Sequence, residues 1–404
     1  MTKRVIFCAD GTWNGPDKNT GSSVTEGQDD RGEVSDTALT NVLKIFANLA
    51  GQVTAETLAL HKEQEKVSTD AAGNVTQVAK YIHGVGDSAN PLVKFLGGVF
   101  GVGVISRVVR GYTFISRSYS PGDEIHLVGF SRGAYTARAL GGMIAKVGLL
   151  NPRTYDPTDK EEAYRFGIAA WAKSKSLSLE GANKLTDVAN HLLRFIETFV
   201  ASELPTNGLI RDVPLKSVAV WDTVGSLGIP EYAGDKRMDV FRFVDTKLSD
   251  RVERGFHAMA IDEMRRDFPV TRWEPRDRIE QVWFVGAHAD VGGGYPASES
   301  RLSDTALGWM MKKLSGLGVA FATPLVSPLD PQTVGPPVHT PWNQFPFAGL
   351  PLAARRVEPN DVLHASVVRR WNADLPPPPY RPEAMSDLGP QGIGGRKVDD
   401  STFP

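Results

Sequence analysis

Gly129-Phe130-Ser131-Arg132-Gly133 spells G-x-S-x-G, a pattern in which a serine can act as a nucleophile. That chemistry asks three things of its surroundings. The serine must stand on a sharp turn so that its hydroxyl clears the backbone. The flanking glycines must let a strand and a helix close on each other, which side chains there would prevent. The amide of Arg132 must open a helix, so that it can point at a developing oxyanion. The neighbours meet these demands. Residues 125–128 form a short apolar run that reads as a buried strand, and residues 134–147 place Leu140, Met143, Ile144 and Val147 on one helical face. The inert alternative is a glycine-rich turn with an ordinary helix N-cap serine. A hydrolase needs more: a histidine, an acid and a second oxyanion donor at the ends of other strands.

Those partners are present in order. Residues 4–9 read as a buried strand ending in Asp10-Gly11-Thr12, residues 216–221 as a strand ending in Asp222, and residues 281–285 as the last clear strand, running into His288. Ser131, Asp222, His288 is the chain order of α/β-hydrolases. The expected roles are attack by Ser131 and proton transfer by His288. Asp222 would fix the imidazole tautomer, and the amides of Arg132 and of Gly11 or Thr12 would line the oxyanion hole. Two rivals stay open. Asp290 could be the acid, although its place two residues after His288 suits a brace for the turn at Gly292-Gly293-Gly294. His364 could be the base, because in many hydrolases the histidine lies late in the chain. His126, inside the nucleophile strand, reads as a satisfied core residue. Asp10, Asp222, His288 and Asp290 could in principle hold Mg²⁺ or Ca²⁺, but their spacing matches no recognised ligand pattern, and no metal or other cofactor is expected.

The elements that must position these residues alternate between strand and helix. Residues 37–49 read as a helix, 77–83 as a strand, 252–264 as a helix and 302–314 as a helix. Residues 52–75 are weakly patterned. Residues 92–119 are apolar, glycine-rich and then basic, with Arg107, Arg110 and Arg117. They suit a broken core helix or, alternatively, a lid that touches lipid. Two amphipathic helices, 161–172 and 184–200, form an insertion at about 152–212, expected as a cap over the active-site face. This alternation implies an α/β fold with a mostly parallel, doubly wound sheet, in which active residues gather at the carboxyl ends of strands. Residues 1–320 are expected to form the catalytic domain. Residues 321–404 are proline-dense and are expected to pack on it or trail from it.

Composition narrows the function classes. The chain has 404 residues, a net charge of −2 and one cysteine, Cys8, which argue against nucleic acid as a partner and against an internal disulfide framework. The N-terminus has no extended apolar segment of the signal-peptide kind, so synthesis in the cytoplasm is expected, with any export by a leaderless route.

Four motifs in order also resemble a known family: Asp10-Gly11-Thr12-Trp13-Asn14, Gly129-Phe130-Ser131-Arg132-Gly133-Ala134, Val220-Trp221-Asp222-Thr223-Val224-Gly225, and residues 286–295 from Gly286-Ala287-His288 to Gly294-Tyr295. Together they look like the type VI secretion phospholipase effector family, over about residues 4–315. The resemblance implies an α/β-hydrolase fold with the triad on Ser131, Asp222 and His288. It also implies esterase action on phospholipids at a membrane surface, and a secretion apparatus or immunity protein as partner.

Overall fold

The computed structural model describes residues 2–11, 38–52, 63–83, 102–179, 204, 207–224, 246–344, 347–373, 379–388 and 392–404. Thr12, the second expected cap helix at 184–200 and the start of the 92–119 segment lie outside the described residues.

A buried parallel strand must be apolar on both faces, and Arg4–Ala9 (β1) meets that condition. Val5, Phe7 and Ala9 face one core while Ile6 and Cys8 face the other. Around it the described residues build a nine-stranded sheet. The strands are Gln64–Thr69 (β2), Val75–Ile82 (β3), Glu124–Phe130 (β4), Leu215–Trp221 (β7), Val252–Ala260 (β8), Ile279–Phe284 (β9), Val362–His364 (β10) and Lys397–Asp399 (β11). Their order is β11-β10-β9-β8-β7-β4-β1-β3-β2, with β2 the one antiparallel member. A separate ribbon of Leu149–Leu150 (β5) and Leu209–Ile210 (β6) stands where the chain leaves for the insertion and where it returns.

Helices cover both faces, as an α/β-hydrolase-like fold requires. On one face Val102–Ser118 (α2) and Arg132–Val147 (α3) bury Val109, Tyr112, Ile115, Leu140 and Ile144. On the other, Asn41–Asn48 (α1) and Arg301–Gly316 (α6) bury Val42, Phe46, Trp309 and Met310. Between the open alternatives for residues 92–119, the described part is a core helix. Lys160–Leu179 (α4), the described helix of the insertion, packs Ile168 and Trp171 into the core shared with α2 and α3. A Cβ on Gly167 would meet Val109 at 2.7 Å. What anchors this helix is therefore the helical layer beside the sheet.

Two expectations are corrected. Residues 252–264 form no helix: Val252–Ala260 is β8, a central strand between β7 and β9. The three-residue spacing of Phe256 and Met259 imitates a helical face. In the sheet Phe256, Ala258 and Ala260 line one core while Met259 lines another. Nor is β9 the last strand. After α6 the chain runs through irregular backbone, then returns as β10 beside β9, followed by Ala365–Asn372 (α7) and β11. Leu363 and Val367 close a third core with Trp283 and Met385.

Because Leu363 is fully buried at this seam, Leu363→Ala should lower stability by about 2–5 kcal/mol. The urea midpoint reads this directly. An unchanged midpoint would mean that residues 321–404 fold apart from the sheet.

Candidate active site

Strand order dictates where the site lies. From β1 the chain goes first to β2 and β3 on one side and later to β4 on the other, so the sheet has its switch point at β1/β4. Phe130 and Trp221 are register partners at the ends of β4 and β7, so Ser131 and Asp222 leave the sheet side by side. Ser131 N–H donates to the Trp221 carbonyl at 3.1 Å. Both residues have left-handed backbone, with φ of 56° at Ser131 and 37° at Asp222. Such torsions in non-glycine residues carry strain of about 1–3 kcal/mol and concentrate at functional sites.

The glycines around Ser131 make the elbow possible. A Cβ on Gly129 would lie 2.3 Å from the Gly133 carbonyl oxygen, and one on Gly133 would lie 2.0 Å from that of Ala9. The helix α3 then begins at Arg132, whose amide sits directly after the nucleophile position. Burial and the charge of Arg107 lower the Arg132 side chain to about 10.

His288 opens a short helix, His288–Gly292 (α5), four residues after β9. Its ring is buried between Phe130 and Phe268, with centroids 4.6 and 5.2 Å away. Its Nδ1 bonds Asp222 Oδ2 at 2.6 Å. Burial lowers the His288 pKa from its ordinary value, and the Asp222 carboxylate offsets this only in part. Near neutral pH the ring is therefore neutral, as a general base must be. The Asp222 carboxylate is fully buried and accepts also from Ala260 N–H at 2.9 Å and from Arg355 at 2.6 and 2.9 Å. Burial alone would push its pKa up. The Arg355 guanidinium and His288 outweigh burial and hold it far below the usual carboxylate range. The structure thus brings Ser131, Asp222 and His288 to the carboxyl ends of β4, β7 and β9, with His288 reaching Asp222 past the end of β8.

The rivals go elsewhere. His364 ends β10, stacks on Phe284 at 4.6 Å and bonds Ser366 Oγ through Nδ1 at 2.9 Å. Burial depresses its pKa to about 4. Asp290 accepts from Ala287 N–H and from His339, so it holds the turn before His288 rather than the glycines after it. His126 pairs with Ser217 on β7 at 2.8 Å. Asp10 accepts from Thr40 and Tyr81, so of the four groups weighed as metal ligands only Asp222 and His288 bond each other. Burial raises the Asp10 carboxyl to about 6.

One expected role changes. The Gly11 amide donates to Asp10 Oδ1 at 2.6 Å and is not offered to the nucleophile. Gly11 still lies against the elbow, where a Cβ would meet Ser131 Cβ and the Phe130 ring at ordinary contact distance, 3.4 Å. Asp10 in turn is tied to α2, because Arg107 donates to its carbonyl.

Comparison with known proteins follows the same core. A family model described as "T6SS, Phospholipase effector Tle1-like, catalytic domain" matches residues 3–313. The chain is 24% identical over 337 residues to the uncharacterized protein YEL023C of Saccharomyces cerevisiae, covering 82% of this chain and 42% of that one. Among solved structures, an uncharacterized protein from Pseudomonas aeruginosa is similar with a TM-score of 0.40 and 17% identity, over 79% of this chain and 46% of that chain. The Tle1 effector bound to the VgrG spike from the type VI secretion system is similar with a TM-score of 0.31 and 16% identity, over 74% of this chain and 52% of that one. The chain therefore spans about half the length of these relatives.

The family match ends at residue 313, but the site's support does not. Three residues beyond it were not legible as functional: Arg355 on Asp222, Tyr380 on Asp262 at 2.8 Å, and His339 on Asp290 at 2.6 Å. The only sequence signal was indirect: buried acids at strand ends must find donors. His339 also reaches Glu299 at 3.0 Å and stacks on Tyr295 at 3.7 Å. The bond to Asp290 raises its pKa above the ordinary 6.5. A raised histidine contributes stability that is fully present below the unfolded-state value and is lost as pH rises through the folded one. His339→Ala should therefore cost more stability at about pH 5.5 than at about pH 9. Thermal unfolding at the two pH values checks this, and equal losses would contradict it.

Proposed function

The chain belongs to the Tle1-like type VI secretion phospholipase effector family, matched in its catalytic domain, and from that premise we propose that it is a serine hydrolase that cleaves the acyl esters of phospholipids. The observation that carries the reading is the strained Ser131 at the β4–α3 elbow, next to a buried His288–Asp222 pair. A binding module of the same fold would have no use for left-handed backbone at both Ser131 and Asp222.

In this mechanism Ser131 Oγ attacks the ester carbonyl carbon while His288 Nε2 takes the hydroxyl proton. Asp222 holds Nδ1–H and stabilises the imidazolium. The oxyanion is met by the Arg132 amide at the start of α3. Collapse expels the lysolipid alcohol, which leaves with the proton from His288, and the acyl group stays on Ser131. Water then attacks the acyl-enzyme, giving its proton to His288, and the fatty acid departs as Ser131 regains a proton. Family membership also supports a membrane surface as the working site, delivery by the type VI route, and a secretion-apparatus component and an immunity protein as partners.

Ser131→Ala should lower hydrolysis of a short p-nitrophenyl ester by roughly 10⁴-fold or more with the fold retained. Unchanged turnover would remove the triad. His288→Ala should be equally inactive and His364→Ala active, and the reverse pattern would move the base to His364. Since the His288 pKa is lowered from 6.5, kcat/KM should hold below that pH and fall only as pH drops through the lowered value. Phospholipid vesicles should raise the rate above that on dispersed substrate; a flat response would indicate a carboxylesterase without membrane action.

A further inference from the structure

Arg355 is buried, and its two terminal nitrogens make four bonds. Nη1 donates to Asp222 Oδ1 at 2.6 Å and to the Ala260 carbonyl at 2.8 Å. Nη2 donates to Asp222 Oδ2 at 2.9 Å and to the Phe268 carbonyl at 2.8 Å. The planar fork is thus gripped on two sides, by the carboxylate in front and by two backbone carbonyls behind. A carboxylate held bidentately by an anchored fork cannot rotate about its own Cβ–Cγ bond. Phe268, which supplies one anchoring carbonyl, also packs edge-on against the His288 ring. The element that fixes the arginine therefore also walls the imidazole.

We propose that Arg355 is a positioning residue of the active site: it orients the Asp222 carboxylate toward His288 Nδ1 and shares its negative charge, so that a segment outside the family match completes the catalytic geometry. The proposal rests on the Ser131–His288–Asp222 reading. The competing role is a brace that merely ties residues 321–404 to the domain.

Charge separates the two. The groups that face His288 are few. Asp222 lies at Nδ1. Glu263 accepts the His288 backbone N–H at 3.1 Å and is itself paired with Arg265 at 2.7 Å. Arg265 lies over the Phe268 ring at 3.6 Å. Phe130 and Phe268 supply the apolar walls. Asp290, two residues on, is turned to His339. Glu263 and Arg265 offset each other, so loss of Arg355 leaves Asp222 as an uncompensated charge beside the ring. An imidazolium is then favoured, and the base is protonated at higher pH.

Titration of ¹³C-labelled histidine by NMR, together with pH–rate profiles, tests this in Arg355→Gln and Arg355→Lys. In Arg355→Gln the His288 pKa should rise by about one unit. The acid limb of kcat/KM should move up with it, and kcat should fall about 10- to 100-fold. Arg355→Lys keeps the charge without the fork, so His288 should titrate near its wild-type value while kcat still falls. A brace would lower the Tm of both variants and leave the titration and kcat of the folded protein unchanged, which would overturn the proposal. Should Arg355→Gln not fold, kcat of Arg355→Lys decides alone, and full activity there sinks the idea. The NMR titration needs no turnover. An inactive wild type would remove the hydrolase reading without altering this measurement, so the two failures are distinguishable.

Discussion

Asp222 holds a negative charge where water does not reach, and the rest of the site is arranged to keep it there. Removing one partner of a buried ion pair typically costs about 3–5 kcal/mol, because the other charge is left unpaired. Asp222 meets that demand with three partners at its carboxylate and a fixed backbone. Its own N–H is fixed to the Ala258 carbonyl at 2.8 Å, and its oxygens take the Ala260 amide, the Arg355 fork and His288. Two neighbouring strands, a short helix and a distant segment are thereby held to one carboxylate. The same bonds give the imidazole its tautomer: with Nδ1 donating to Asp222, Nε2 is the nitrogen left to accept a proton.

Ser131 is held by shape rather than by charge. Ser131 keeps its left-handed backbone because β4 is locked between β1 and β7 in fixed register, while α3 is pressed onto the end of β1 at Gly133. The close approach of Gly133 to Ala9 is backbone against backbone, so no rotamer change could relieve a side chain placed there. Across the sheet Arg107 of α2 holds the Asp10 carbonyl, and Thr40 and Tyr81 hold the Asp10 carboxylate. Asp10 is thus fastened from both faces of the sheet.

What was legible in the sequence was local. The elbow announces itself because glycine spacing, an apolar strand and a helix all fall within a few residues. Asp222 and His288 could be placed because each closely follows a strand. Residues 252–260 misled because a central strand buried on both faces shows no alternation, and Phe256 and Met259 then fit a helical period. β10 and β11 escaped notice because three residues of strand carry too little pattern to stand out from a proline-rich background. An amide of Gly11 or Thr12 was expected from position, but the direction of the Gly11 amide depends on Asp10, whose carboxylate takes it at short range. Arg355 had no pattern at all: its contacts are made 87 to 133 positions away.

Those distant contacts bear on how the domain folds. Residues 321–404 meet three acids of the site region, each through one residue: Arg355 at Asp222, His339 at Asp290 and Tyr380 at Asp262. Asp262 and Asp290 in turn hold the amides of Gly286 and Ala287, which lead directly into His288. Detaching the segment would strip a donor from all three acids at once and free the turn that aims the imidazole. Each buried acid left without a donor costs about 1–3 kcal/mol or more, against a total stability of only about 5–15 kcal/mol for a typical domain. Formation of the Ser131, Asp222 and His288 arrangement and docking of this segment are therefore coupled steps of one equilibrium, although the family match is carried by residues 3–313 alone.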